Sequence, residues 1–537
     1  MLGRNLRNSA AADSIRPSRG RRVHSCKVQK SALIIGLYAI LALLTVPVFP
    51  HFLSPNEFSR WIVDAAIVDD HTLDVTHINA LFGDRIEDLA RFDGRQYSNK
   101  APGVSLIGLP AYALVRLFSG PPRPGTMRVT LTAMRWVAST LPLVLLALLM
   151  VRAAKRFEAG DESLPWMIAV LLFATPLFAY GMLLFSHALT AFALFGSWVF
   201  LFTERRPVLA GALMGVAVLS EYTSAAVAIL FLICAAITSR RDALRFIAGG
   251  VPFLAILLLY NQLAFGNPFN LSYTFTEHAE YRALARSGFF GLHAPSIGTL
   301  ASQLFDPSRG LLVMSPVVLC AFSARTARRT LGELPFWSLV GAALLLMIVF
   351  ACYPYWHGGW GVGARYLMPA LPFVIFVMAF GEISFGAAVL MGMSVAAVVM
   401  VSVVFPFVPP NAFPVPWGSL AWPILRDGLV APNLLHFVAR PLAIALPFVI
   451  ASAAVFIGVP RRCWIGLASG AIITIGVGIL YANSTSSLLM ARAYIEEVYF
   501  DQRGALIGHL PKGVTVQPSI ERHLRNELEA PPPTWPF

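Results

Sequence analysis

The amino-acid sequence predicts an all-α polytopic membrane protein with a large first outer loop. Hydrophobic residues make up 57% of the 537 residues, and charged residues make up only 13%. Apolar runs of about 20 residues, the length of a transmembrane helix, recur along the chain. A chain with so much apolar surface cannot bury it in a water-soluble core. We therefore expect about thirteen transmembrane helices with short connections on one side of the membrane.

The charge pattern indicates a membrane and excludes nucleic acid as the expected partner. The net charge is +13, but the Lys and Arg residues lie in short clusters at the ends of apolar runs, which is the pattern of membrane topology. The five cysteines are scattered and show no CxxC spacing. Disulfides and a cysteine-based metal site are therefore not expected.

Residues 1–30 predict a cytoplasmic tail, because they hold eight Arg or Lys residues against the single Asp13. The apolar run 31–50 has spanning length and lacks a small-x-small cleavage site, so we interpret it as the first transmembrane helix rather than a signal peptide. The further predicted spans are 129–151, 165–183, 187–203, 207–220, 222–238, 245–264, 310–324, 335–352, 366–380, 383–406, 440–459 and 463–482.

Five of the six alternate linkers between these spans are basic, which sets the orientation, and the sixth, 381–385, has Glu382 and no basic residue. The five basic linkers are 152–156, 204–206, 240–245, 325–329 and 461–462. Placed inside with the N-terminal tail, they leave the large loops 51–128, 265–309, 353–365 and 407–439 outside, together with the tail 483–537. This orientation requires that residues 101–118 form a juxtamembrane or re-entrant helix that does not cross the bilayer. Residues 31–482 then form one membrane domain that does its work on the outer face.

The first outer loop is rich in acids, with nine of the 28 acidic residues between Ser54 and Gly103. Glu57 and Arg60 open an amphipathic helical segment there, and Ser54 with Glu57 also has the pattern of a capping box. Asp93 stands before a glycine near Lys100. Asp84, Glu87 and Asp88 have the pattern of a solvated surface run.

Lys100 is one of only five lysines in the chain and lies at the start of an apolar run, beside Tyr97. A lysine at that place binds a phosphate or lies at the membrane interface as a snorkelling side chain. The segment 353–366 combines four glycines with His357, Trp360 and Arg365, a pattern that suits a sugar and a phosphate, although aromatic belts also explain its rings. Smaller signals are Arg309 before a span, and His187 and Glu221 at short outer turns.

These residues resemble a known family. The chain is similar to the polytopic, lipid-phosphate-dependent glycosyltransferases of the GT-C superfamily, particularly bacterial relatives of the protein mannosyltransferases and of the aminoarabinose transferases. The resemblance lies in the acidic opening of the first outer loop, in Lys100-Ala101-Pro102, and in the His-Gly-Gly-Trp run that leads to Arg365. Many relatives open the loop with Asp-Glu where this chain has Asn56-Glu57, which weakens the case for a divalent metal. No cofactor is otherwise expected.

The resemblance implies transfer of a sugar from a polyprenyl-phosphate donor to a lipid, glycan or protein acceptor at the outer face of the cytoplasmic membrane. We expect Lys100 and Arg365 to hold the donor phosphate together. We expect Glu57 to be the general base, with Asp93 as the second choice, and Arg60, Tyr97, His187, Arg309, His357 and Trp360 to contribute to substrate binding. The alternatives are a lipid or sugar transporter and a non-catalytic partner in envelope assembly.

Overall fold

A computed structural model gives the fold of the protein. It describes residues 19–49, 54–160, 162–410, 412–482, 492 and 495, with the backbone alone for residues 19–28 and 124. The predicted tail 483–537 therefore lies outside the described residues, apart from Arg492 and Ile495. The described chain is helical apart from one two-stranded hairpin, which confirms the prediction of a mainly α-helical protein.

The first half of the chain contains the outer loop and the helices that pack against it. Its elements are α1 (Arg19–Thr45), α2 (Pro55–Ala65), α3 (Thr76–Leu81), β1 (Leu89–Phe92), β2 (Arg95–Ser98), α4 (Gly103–Ser119), α5 (Pro124–Arg135), α6 (Leu141–Arg156), α7 (Ser163–Phe173), α8 (Leu177–Tyr180), α9 (Ser186–Trp198), α10 (Pro207–Ser220), α11 (Ser224–Thr238) and α12 (Arg240–Phe265). Turns of π-helix follow α2, α5 and α9 at Ala66–Asp70, Trp136–Thr140 and Val199–Thr203.

The second half continues with shorter segments before its long helices. Its α-helices are α13 (Ala279–Arg286), α14 (Ile297–Phe305), α15 (Leu311–Met314), α16 (Ala327–Leu331), α17 (Glu333–Ala351), α18 (Leu371–Val377), α19 (Phe385–Val404), α20 (Trp422–Arg426), α21 (Arg440–Gly458) and α22 (Trp464–Tyr481). Segments of 3₁₀-helix lie at Ser272–Phe275, Pro316–Ser323, Arg365–Ala370, Met378–Phe380, Leu434–Phe437 and Arg461–Cys463, and a π-helical turn lies at Trp417–Ala421.

Seven helices in the described chain are long and apolar enough to cross a membrane, by length and composition. They are Gly125–Arg156, Ser186–Thr203, Arg240–Phe265, Glu333–Ala351, Phe385–Val404, Arg440–Gly458 and Arg461–Tyr481. Most other predicted spans are shorter apolar helices, and the run 310–324 is divided between α15 and a 3₁₀-helix. The count of about thirteen spans therefore stays a prediction.

Glycine lets two pairs of helices bring their backbones into contact. A Cβ atom on Gly211 of α10 would lie 1.9 Å from the carbonyl oxygen of Phe246 in α12, and one on Gly249 would lie 2.0 Å from the carbonyl oxygen of Val208. Gly392 of α19 and Gly470 of α22 make the same reciprocal contact with Leu467 and Val389. Small residues permit this close approach in membrane helices, where packing rather than water exclusion drives association.

The first outer loop is a folded unit. Helix α2 buries Phe58, Trp61 and Ile62, as its amphipathic pattern predicts. The segment predicted at 101–118 is helical, and α4 buries one face while Leu117 and Phe118 stay exposed. Whether α4 crosses the bilayer stays a prediction.

A β-hairpin that the sequence analysis did not predict connects α3 to α4. Its antiparallel register pairs Leu89 with Ser98 and Phe92 with Arg95. Asp93 and Gly94 form the two-residue turn with φ angles of 50° and 76°. An Asp-Gly pair favours this left-handed turn because both positions need a positive φ. The signal was therefore present in the sequence and was interpreted as a site instead.

Candidate functional site

A buried cluster of charged side chains joins four segments that are distant in sequence. Arg60 comes from α2, Lys100 follows β2, Glu221 lies between α10 and α11, and Arg365 begins the 3₁₀-helix after the glycine-rich segment. Their charges act on one another: burial lowers the pKa of Lys100, and the guanidinium groups of Arg60 and Arg365 lower it further, while Asp88 opposes the shift. Lys100 and Arg365 therefore lie close enough for their charges to interact, although 265 positions separate them in the chain.

Lys100 is held at the end of the hairpin by an ion pair. Its Nζ atom lies 2.6 Å from Oδ2 of Asp88, and the amide of Asn99 donates a hydrogen bond to the other oxygen at 2.9 Å. Burial acts to raise the pKa of Asp88, but Lys100 and Asn99 outweigh it and hold that pKa at about 2. Asp88 is therefore a charged member of the site, and the prediction that it belongs to a solvated surface run was wrong.

Arg60 is a buried cation that lies near Glu221 and Asp88 without direct ion pairing to a described carboxylate. Its Nη1 atom donates to the backbone carbonyl of Asn56 at 2.7 Å and to the Asn56 side chain. Within the described chain Nε of Arg60 has no hydrogen-bond partner, and the side chain takes part in no ion pair. Burial lowers its pKa from the ordinary arginine value.

Arg365 is also buried, and it lies between two aromatic rings. Its guanidinium carbon lies 5.3 Å from the ring centres of both Phe185 and Tyr366. Its Nη1 atom makes a long hydrogen bond of 3.4 Å to the carbonyl of Trp360, and Nε has no partner among the described residues. The side chain of Tyr366 also accepts a hydrogen bond from Arg365, and the unpartnered Nε leaves the guanidinium with one donor for a ligand.

Gly358 makes room for Arg365. Its φ angle is 69°, and a Cβ atom there would lie 2.4 Å from Nε of Arg365. Only glycine tolerates both the left-handed backbone and the close approach of the guanidinium. Gly358 therefore serves the position of Arg365.

Glu221 is the carboxylate that faces the three cations with one oxygen unoccupied. Its Oε2 atom accepts a hydrogen bond of 3.0 Å from the hydroxyl of Ser186. Its other oxygen has no hydrogen-bond partner in the described part of the chain. Burial raises the pKa of Glu221, while Ser186, Arg60, Arg365 and Lys100 oppose the shift. A carboxylate with a raised pKa and one open oxygen is a good proton acceptor.

Residues 272–273, in the segment 265–309 that the sequence predicts as an outer loop, contact the Lys100 end of the hairpin. The hydroxyl of Ser272 donates to the carbonyl of Asn99 at 2.8 Å and lies 3.3 Å from the hydroxyl of Tyr222. The neighbouring Tyr273 ring lies 5.8 Å from Nζ of Lys100. Nothing in the sequence pattern singled out Tyr273, because only tertiary structure brings residues 272–276 against the hairpin.

Glu57 occupies a different position from the one expected of a general base. Arg135 binds it through two hydrogen bonds, Nε to Oε1 at 2.8 Å and Nη2 to Oε2 at 2.7 Å. The backbone N–H of Leu184 also donates to Oε1 at 2.5 Å, and the side chain is fully buried. Both carboxylate oxygens are thus occupied, so this geometry favours a structural contact for Glu57.

Asp93 and Tyr97 do not reach the cluster. Asp93 is exposed in the hairpin turn, at the opposite end of the hairpin from Lys100. The Tyr97 ring is buried against Phe265 of α12, with ring centres 5.5 Å apart. The alternation of side chains along β2 points Tyr97 into this apolar contact, which neighbouring residues in the sequence do not reveal.

Arg309 anchors the glycine-rich segment from behind. Its Nη1 atom donates to the carbonyls of His357 at 2.5 Å and Gly359 at 2.9 Å, and only 1% of the residue is exposed. These contacts favour a supporting role over direct substrate binding. Burial, Arg309 and Arg365 lower the pKa of His357 to about 4, so this imidazole is neutral at neutral pH.

His187 lies beside the cluster at the start of α9. Its ring lies 4.7 Å from that of Tyr180 and 6.4 Å from that of Tyr366, measured between centres. Both ring nitrogens are buried and have no hydrogen-bond partner among the described residues. His187 therefore offers a donor and an acceptor to a ligand at this site.

The described residues contain no set of metal ligands. Among the described residues, no group of three or more His, Cys, Asp and Glu side chains is placed to hold a metal ion. The cluster itself contains more cations than carboxylates, which suits an anion.

No protein-family model matches the chain, and no curated protein matches its sequence. Among solved structures it is similar to ArnT from Cupriavidus metallidurans, in the apo state and bound to undecaprenyl phosphate. Each ArnT match has a TM-score of 0.47 and 15% identity, and covers 93% of this chain and 85% of that chain. The apo oligosaccharyltransferase from Archaeoglobus fulgidus has a TM-score of 0.38 and 13% identity, covering 97% of this chain and 62% of that chain.

Proposed function

We propose that the protein transfers a sugar from a polyprenyl-phosphate donor to a cell-envelope acceptor at the outer face of the cytoplasmic membrane. The observation that carries this proposal is the buried cluster of Arg60, Lys100 and Arg365, in which neither guanidinium pairs with a described carboxylate. Burying a charge without a counter-charge is costly, so a site of this kind is suited to receive an anion.

The charges of the cluster agree with a phosphodiester as that anion. With Asp88 and Glu221 ionised, two carboxylates stand against the three cations and leave one positive charge. A sugar linked to a polyprenyl phosphate carries one negative charge on its phosphate. Arg365 and Arg60 supply planar guanidinium groups for the phosphate oxygens, and Lys100 adds a point charge.

In the proposed reaction Glu221 is the general base. It accepts the proton of an acceptor hydroxyl while the hydroxyl oxygen forms a bond to C1 of the sugar and the bond from C1 to the phosphate oxygen breaks. The electron pair stays on the departing phosphate, where the three cations stabilise the growing negative charge. Attack from the side opposite the phosphate makes the transfer inverting. The acceptor is a hydroxyl group on a lipid, a glycan or a protein.

The experiment that tests this function is a donor-consumption assay. Protein purified into nanodiscs is given a polyprenyl-phosphate sugar and an extract of envelope lipids and glycans, and the release of free polyprenyl phosphate is measured. We expect release by the wild type and a loss of about a hundredfold or more in Glu221→Gln, with donor binding retained.

Two other results of the assay would contradict the proposal. With the protein reconstituted in vesicles instead of nanodiscs, movement of the intact donor across the membrane without release of polyprenyl phosphate would indicate a transporter. Donor binding without release of polyprenyl phosphate would indicate a non-catalytic partner. The matched control is Glu277→Gln, because Glu277 belongs to the same outer region and pairs with the exposed Arg91.

A further inference from the structure

A crevice lies at the C-terminal end of the long helix Gly125–Arg156. It has a volume of about 590 Å³ and is bounded by α1, by α6 and by the residue after the π-helical turn 199–203. Its walls are apolar and its rim is charged. The wall residues are Ala32, Ile35, Leu148 and Val151, and the rim residues are Arg152, Lys155, Arg156 and Glu204.

The crevice lies roughly one membrane thickness along a helix from the ion pair of Arg135 with Glu57. Residues 125–156 form one continuous helix, which carries Arg135 near the outer loop and Arg152 at the crevice. The two positions are 17 residues apart. At about 1.5 Å per residue this is roughly 25 Å, close to the thickness of the hydrocarbon core. In a helix that crosses the bilayer, as its length and composition allow, this distance places the rim of the crevice at the opposite membrane surface from Arg135.

The rim has an excess of positive charge. Glu204 neutralises Arg152 through a two-pronged ion pair with both N–O distances at 2.9 Å. Lys155 and Arg156 are exposed, and in the described part of the chain neither forms an ion pair. Two cations thus remain above an apolar wall on which Ala32 and Leu148 are exposed.

We propose that this crevice binds an anionic phospholipid of the leaflet opposite the candidate site. The phosphate of the headgroup lies between Lys155 and Arg156, and the acyl chains lie along Ala32, Ile35, Leu148 and Val151. A basic pocket between membrane helices matches both parts of such a lipid, whereas a soluble anion would use the cations alone. The N-terminal segment of the chain is not expected to bind the basic rim, because residues 1–30 are themselves strongly basic and like charges repel.

The test uses the purified full-length protein. Its thermal unfolding is followed in zwitterionic micelles to which phosphatidylglycerol, phosphatidylcholine or inorganic phosphate is added, and native mass spectrometry counts the retained lipids. We expect phosphatidylglycerol alone to be retained and to raise the melting temperature. Removing both charges in Lys155→Gln/Arg156→Gln is expected to weaken phosphatidylglycerol binding about twenty- to thirtyfold. Each basic residue near a lipid surface contributes about fivefold to the binding constant, and the two contributions multiply.

The matched control is Arg240→Gln/Arg241→Gln, which removes two exposed cations of another basic linker that do not line the crevice. Should the double variant of the rim fail to purify, Arg156→Gln alone is expected to weaken binding about fivefold. Equal retention of phosphatidylglycerol by the rim variant and the wild type would overturn the proposal. Equal losses in the rim and control variants, or equal stabilisation by inorganic phosphate, would also overturn it.

Discussion

Glu57 and Arg135 form a two-pronged ion pair that joins α2 to α5 in the protein interior. The same carboxylate binds the N–H of Leu184, so it also fixes the turn before α9. One of these segments, α2, also carries Arg60 of the candidate site. A buried ion pair of this kind holds its surroundings together only while both partners are present.

Glu57→Gln is therefore expected to lower the stability of the fold, because it leaves Arg135 buried without a counter-charge. The loss should be about 3–5 kcal/mol in the free energy of unfolding, measured by thermal or denaturant unfolding in detergent. The double variant Glu57→Gln/Arg135→Gln should lose less than the sum of the single variants. A Glu57→Gln protein of normal stability that has lost about a hundredfold in turnover would restore Glu57 as the general base.

Lys100 is expected to interact with both the Asp88 carboxylate and the donor phosphate. Lys100→Met should reduce transfer by roughly ten- to a hundredfold through the loss of one charge-assisted contact, and Arg365→Gln should do the same. Asp88→Asn should act in the opposite direction on donor affinity, because it releases Lys100 for the phosphate. Calorimetry would measure the donor affinity of each variant against the wild type. The control is Arg95→Gln, which changes an exposed residue of the hairpin. Weaker donor binding in Asp88→Asn would contradict this assignment.

The pH dependence of transfer is expected to follow Glu221. Because burial raises its pKa above the ordinary value of 4.5, the carboxylate gains a proton at a higher pH than a solvated glutamate does. A base must be ionised, so activity should be present above the raised pKa and fall as the pH drops through it. Transfer rates over a pH series should show this acidic limb in the wild type. An unchanged limb in the residual activity of Glu221→Gln would assign it to another group.

Gly358→Ala is expected to displace Arg365 and to reduce transfer about tenfold or more, as for the loss of one charge-assisted contact. Gly359→Ala is the matched control, since both glycines have a positive φ and both substitutions strain the backbone. A Cβ atom on Gly359 would lie 3.2 Å from the Tyr355 hydroxyl and would not meet Arg365. Equal losses of donor binding in the two variants would attribute the effect to backbone strain.

The orientation of α4 is expected to place the turn after it on the outer side. In a cysteine-free background, a cysteine at position 123 should be labelled by an impermeant reagent added from outside. A cysteine at position 156, where the side chain is exposed at the other end of the long helix, should be protected. The reverse pattern would show that residues 101–118 cross the bilayer and would invert every later span.

The sequence predicts the positions of the helices better than the residues of the site. An apolar run identifies a membrane helix locally, and the run predicted at 187–203 agrees with the helix Ser186–Thr203 within one residue. Lys100 and Arg365 were also identifiable, because a scarce lysine and a glycine-rich approach to an arginine are local signals. The choice between Glu57 and Glu221 was not, since it depends on Arg135 and Ser186, which are 78 and 35 positions away.

The reciprocal glycine contacts between α10 and α12, and between α19 and α22, also bear on how a long lipid reaches the site. Backbones that touch through Gly211, Gly249, Gly392 and Gly470 leave no gap for an acyl chain and cannot slide without a collision. Each pair of helices therefore forms a continuous surface that an acyl chain cannot penetrate. If the proposed polyprenyl donor enters sideways from the bilayer, its tail has to pass between other helices, so these two contacts limit the possible routes of entry.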